Sequence, residues 1–173
     1  MAKTGLIALA LLISGPAVAQ APADDVMLSA ADPAGIAKAV RAYGRQAELE
    51  TDEAGDPTIA TDFGGIDGRI WFYECNAAGK ACVGLQFQIG IGTKRKLTLQ
   101  QVNAFNRGRR FATLSLDEEG DPILVHDLSM APPGISAPSF RDTLQLFDTQ
   151  ARELRQMVDA LERQDAPQAR PPS

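Results

Sequence analysis

Few side chains in this sequence could carry a reaction. His126 is the only histidine among 173 residues. It sits in Val125-His126-Asp127, on a stretch that reads as a strand, so Asp127 points to the opposite face and the two do not form a local pair. Ser115 and Ser129 lack the strand–turn–helix setting of a nucleophile elbow. Gly90-Ile91-Gly92 follows a strand but lacks the third glycine of a dinucleotide-binding turn. Two cysteines and one histidine are too few for a structural zinc site. Two acidic clusters share the pattern Asp-Glu-x-Gly-Asp-Pro: Asp52 to Pro57 and Asp117 to Pro122. They lack the ligand spacing of a calcium loop and its closing glutamate. Tight turns explain them better: the glycine supplies a positive φ, and the proline starts the outgoing strand. No catalytic residue, metal or cofactor is expected.

Binding remains as the chemistry the sequence offers. Trp71 and Tyr73 alternate with Phe72, so one strand face carries two amphipathic rings and the other an apolar one. Arg107, Arg109 and Arg110 cluster at the end of a helix. There they complement its dipole, and they could also meet an acidic partner. Lys94-Arg95-Lys96 precedes the same helix. Cys75 and Cys82 flank Asn76-Ala77-Ala78-Gly79-Lys80-Ala81, a hairpin-loop composition that would set them opposite each other at a spacing a disulfide can bridge.

Such a bridge needs an oxidising compartment, and the N-terminus predicts one. Lys3, the apolar run Gly5–Ser14, the break Gly15-Pro16 and the ending Ala17-Val18-Ala19 form a secretory signal, with cleavage expected after Ala19. The run is too short to span a bilayer. The product would be periplasmic or secreted, with no stable membrane insertion. About 150 residues remain, enough for one domain. The formal charge of −5 for the whole chain argues against nucleic acid, which is held by lysine and arginine.

The elements that must position these residues follow from periodicity. Residues 1–19 are read as the signal, 20–30 as a flexible start, 31–163 as the domain and 164–173 as a disordered tail. Asp32 caps a first helix, with Pro33 at its first position and Gly44 just after its end. Strands are expected over 46–51, 58–62, 69–75 and 82–90, joined by short turns as an antiparallel meander. Thr98 with Gln101 makes a capping box for a second helix ending near Gly108. A hairpin follows, with strands 111–116 and 123–128. Residues 131–138 read as a loop, and Ser139 with Asp142 as the start of a long last helix. Its stripe Phe140, Leu144, Phe147, Ala151, Leu154, Val158 and Leu161 covers the sheet; a homodimer seam is the second reading. The fold class is α+β, in the order α-β-β-β-β-α-β-β-α.

That order resembles the YbjN domain family, named for bacterial sensory transduction regulation, over roughly residues 30–163. The resemblance is carried by Ile70 to Cys75, by Val102-Asn103-Ala104-Phe105-Asn106 through Arg109-Arg110-Phe111, and by Leu116 to Pro122 with Leu124 to Leu128. Phe105 stands where tryptophan is expected in many relatives. The exported, two-cysteine form resembles a subgroup. The resemblance implies an antiparallel sheet flanked by helices, similar to type III secretion chaperones, and a role in protein binding and dimerisation with no catalytic residues. The candidate interaction surface is Trp71, Tyr73, Asn103, Asn106, Arg109 and Arg110. The alternative is a small-ligand site or active site assembled from Trp71, Asn103 and Arg110, which would require a deep pocket between them.

Overall fold

The computed structural model describes residues 22–164. The expected signal segment and the tail from 165 lie outside them. The elements are β1 (Met27–Leu28), α1 (Pro33–Ala42), β2 (Glu48–Thr51), β3 (Pro57–Phe63), β4 (Ile66–Tyr73), β5 (Gly84–Gly90), α2 (Leu99–Arg107), β6 (Ala112–Leu116), β7 (Pro122–Ser129), β8 (Ile135–Ser136) and α3 (Ala137–Gln164). Strands β2 to β7 form one antiparallel sheet in the order β2-β3-β4-β5-β7-β6. The expected α+β class holds, and the sheet is flanked by the three helices.

Local chemistry sets the helix ends. The Asp32 carboxylate accepts from Gly35 N at 2.9 Å, and Pro33 occupies the first turn, where no N–H is needed. Gly44 follows the C-cap residue Tyr43 at φ +83°. Thr98 and Gln101 form the reciprocal capping box at the start of α2. The expectation for the last helix needs correction. It begins at Ala137, because Ser136 Oγ accepts from Ser139 N and acts as the cap three residues earlier than Ser139. Pro138 then falls in the first turn, where proline is tolerated.

Two further expectations change. Residues 27–28 are no free arm: they pair with Ser136 and Ile135, and Leu28 and Ala30 are buried. The strands β4 and β5 stop short of the cysteines, at Tyr73 and Gly84. Glu74 and Ala81 take positive φ there, which ends the extended backbone and leaves Cys75 and Cys82 in the loop. Their sulfurs are at disulfide distance, 2.09 Å. Closing so short a loop restricts the unfolded chain by about 2.5 kcal/mol.

The turns share one wiring. In 52–56 the Asp52 carboxylate accepts from Ala54 N and Asp56 N, Asp52 N donates to Asp56 O, and Gly55 takes φ +92°. In 117–121 Asp117 accepts from Asp121 N, and Gly120 takes φ +80°. The sequence reading missed a third copy, Asn76 to Lys80, in which Asn76 Oδ1 accepts from Ala78 N and Lys80 N. The common signal is Asx-x-x-Gly, a side-chain-bridged turn. No group of three metal-ligating side chains occurs among the described residues.

The core lies between the sheet and helices α1 and α3. Ile59, Ile70, Phe87, His126 and Ala112 are register partners across five strands, and all are buried. The α3 stripe from Phe140 to Leu161 is buried against them. It is consumed by its own domain, so the homodimer-seam reading loses its surface. Phe63, Phe87, Phe140 and Phe147 form an aromatic cluster, with Phe63 and Phe147 edge to face at 4.7 Å. Arg45 clamps the layers: it pairs with Asp148 of α3 and donates to Asp62 O, while the other Asp148 oxygen accepts from Gly64 N.

Candidate functional site

The opposite face of the sheet is where residues capable of recognition collect. Register sets Glu48, Ala60, Arg69, Gln88, Val125 and Thr113 in one row, and none of them is buried. The adjacent row runs Glu50, Thr58, Trp71, Gln86, Asp127. Ala60 and Gly90 carry little or no side chain on this face, so a trough of about 740 Å³ opens there. Its walls include Glu48, Asp62, Asp67, Arg69, Trp71 and Gln88. A second depression meets it at Arg69 and Trp71 and adds Glu50, Asp52 and Glu53.

Trp71 stands where the two depressions join. The Arg69 guanidinium lies 5.8 Å from the indole centroid, within cation–π range. Arg69 Nη1 is held by the Glu50 carboxylate and by Thr58 Oγ1 at 3.3 Å. The indole Nε1–H is shielded from solvent and has no acceptor among the described residues. A donor left in that state costs about 1–3 kcal/mol relative to a paired one. Beside it, Gln86 Nε2 donates to Asp127 Oδ1 at 2.7 Å. Tyr73 is 46 % exposed. Partial burial and then the Asp127 and Asp52 carboxylates raise its phenol above the usual value, so it stays a neutral hydroxyl at physiological pH.

The other candidates are elsewhere. Asn103 is exposed on α2. Asn106 is spent on structure: its side-chain amide donates to Leu114 O and accepts from Leu114 N, at 3.0 and 2.8 Å. It thereby occupies the free edge of β6 as a missing strand would. Arg109 is spent too. It bonds Glu153 at 2.6 Å and Phe105 O, and its guanidinium lies 3.7 Å from the Phe105 centroid, tying α2 to α3. Arg110 is exposed, and its carbonyl accepts from Gln150 and from Ala112 N across Phe111 at φ +71°. Neither depression includes Asn103 or Arg110, so neither unites them with Trp71. Among the basic residues before α2, Lys96 bonds Asp121 at 2.5 Å. With Thr93 donating as well, this holds the Asp121 carboxyl down at about 2.

His126 lies inside. Its ring is edge-on to Phe147 at 6.2 Å and stacked with Phe111 at 6.1 Å, and Nδ1 has no partner among the described residues. Burial lowers its pKa, against the opposing pull of Asp127. It is a core residue, away from the open face. No helix among the described residues is long and apolar enough to cross a membrane.

No curated protein matches the chain. A family model does: "YbjN: Putative bacterial sensory transduction regulator", over residues 32–160, from the start of α1 to the last turns of α3. That span contains the whole six-stranded sheet and its open face, and the chain belongs to the YbjN family.

Proposed function

We propose that this family member is an exported regulator that acts by binding another protein across the open face of its sheet, without catalysis. One observation carries the reading. The sheet is covered by helices on one side only, and the bare side presents Trp71 in the wall of a trough and the exposed Tyr73 two residues further along β4. Packed interface cores are enriched in such rings because each combines apolar area with a polar handle. The sole histidine is on the buried side, away from the trough. Export rests on the signal-like segment 1–19 and agrees with the Cys75–Cys82 pair. A regulator outside the cytoplasm has no direct access to DNA, so protein contact is its route of action. The fold's expected likeness to secretion chaperones points the same way.

The test is in-cell photo-crosslinking from position 88, at the trough, with position 103 on α2 as the comparison. One defined protein captured from 88 in the periplasmic fraction, with a mature chain starting at Gln20, is the expected result. Capture from neither position sinks the binding reading. A chain found in the cytoplasm with Met1 retained sinks the export.

A further inference from the structure

We infer that the trough recognises a positively charged, extended protein segment; this rests on the reading that the open face is a docking surface. The two depressions are lined by six carboxylates, from Glu48, Glu50, Asp52, Glu53, Asp62 and Asp67, against the Arg69 guanidinium that lies between them. Arg69 is already paired with Glu50. Arg45 reaches Asp62 only at 4.0 Å, at the edge of pairing range, and spends its closer contact on Asp148. The surface is therefore strongly negative around one aromatic ring. Low-dielectric walls of a single sign focus potential and draw in the opposite charge.

The ring sharpens the choice of ligand. Trp71 lines both depressions, and an indole ring attracts lysine or arginine side chains. A lysine- or arginine-bearing peptide brings cations together with backbone N–H and C=O groups along its length. A polyamine brings the cations alone. An extended peptide also places alternate side chains on one side, which suits a trough that runs from Gln46 on the β2 side to Gly90 on β5.

The chain's only tryptophan sits at this point, so its emission reports on the trough alone. The mature protein is titrated with an alternating Lys-Ala decapeptide, an alternating Glu-Ala decapeptide and spermine. The expected result is a shift in emission with the Lys-Ala peptide, at least tenfold tighter than with either of the others and weakening as salt rises. Glu48→Gln with Asp67→Asn, two exposed positions, should lose tenfold or more in affinity while near-ultraviolet circular dichroism stays unchanged. Equal affinity for the two peptides, no shift with either, spermine as tight as the Lys-Ala peptide, or full affinity in the double variant overturns the inference. Crosslinking separates the two claims. Undiminished capture from position 88 in the double variant rejects the charge recognition and keeps the docking face. Capture from no position rejects the docking face itself.

Discussion

At the scale of single residues, His126 shows how burial redirects a reactive side chain. In sequence it is the obvious candidate for acid–base work. In the fold its ring belongs to the aromatic cluster of Phe87, Phe111 and Phe147. Burial depresses its pKa below the ordinary 6.5, so folded and unfolded chains differ in proton uptake. Above that value both hold it neutral, and it contributes no pH dependence. Below it the unfolded chain binds a proton that the folded chain refuses, so stability falls as pH drops, until the folded value is reached. His126→Leu should flatten this loss between pH 7 and 5, read as the slope of the thermal midpoint against pH. An unchanged slope would place the acid sensitivity in other groups. Trp71 is the converse case. Alternation in the sequence set it on the face opposite Phe72, and the register confirms that placement. Asn106 and Arg109 were read as surface. Their partners, Leu114 O and N and the Glu153 carboxylate, are distant enough in sequence or so dependent on backbone position that no local pattern announces them.

At the scale of elements, legibility follows the range of the interaction. Helix caps at Asp32 and Thr98 are wired within three residues, and they stand as expected. The α3 stripe was legible because periodicity records a buried face directly. The start of α3 was not, since two serines compete as caps and the pairing of Ile135 with Leu28 decides between them. The Arg45–Asp148 clamp was also hidden, because the partners are 103 residues apart. It joins the link before β2 to α3 and to the turn at Gly64, and both side chains are largely enclosed. Asp148→Ala leaves the guanidinium enclosed without its carboxylate, and a loss of about 3–5 kcal/mol is expected. Urea unfolding checks it. Pairing Asp148→Ala with Arg45→Ala should cost less than the sum of the two, and strict additivity would show that the clamp is not a unit.

At the scale of the whole molecule, the sheet has unequal faces and unequal edges. One face is roofed by α1 and α3, and the other carries the trough. The β6 edge is occupied by Asn106, while β2 ends the sheet on the opposite side. Only the alternation of Trp71 and Tyr73 with Phe72 hinted at unequal faces, because periodicity says that a strand has two faces without saying what covers them. The roof is tested by a chain ending at Pro133, which lacks α3. It should keep the hairpin turns yet bind the dye ANS strongly and associate, since Ile59, Phe63, Ile70 and Phe87 lose their cover. A monomer that binds no ANS would show that the sheet is stable without the helix.

Strands β2 to β5 are neighbours in sequence as well as in space. Such hairpins close quickly, because little chain must be looped to form them. The helix that completes their core comes last along the chain. During synthesis the meander emerges with its apolar side wet and waits for α3. The chain therefore passes through an adhesive stage set by its gene order, and its yield in a cell should depend on a holding factor that releases it only when the last helix arrives.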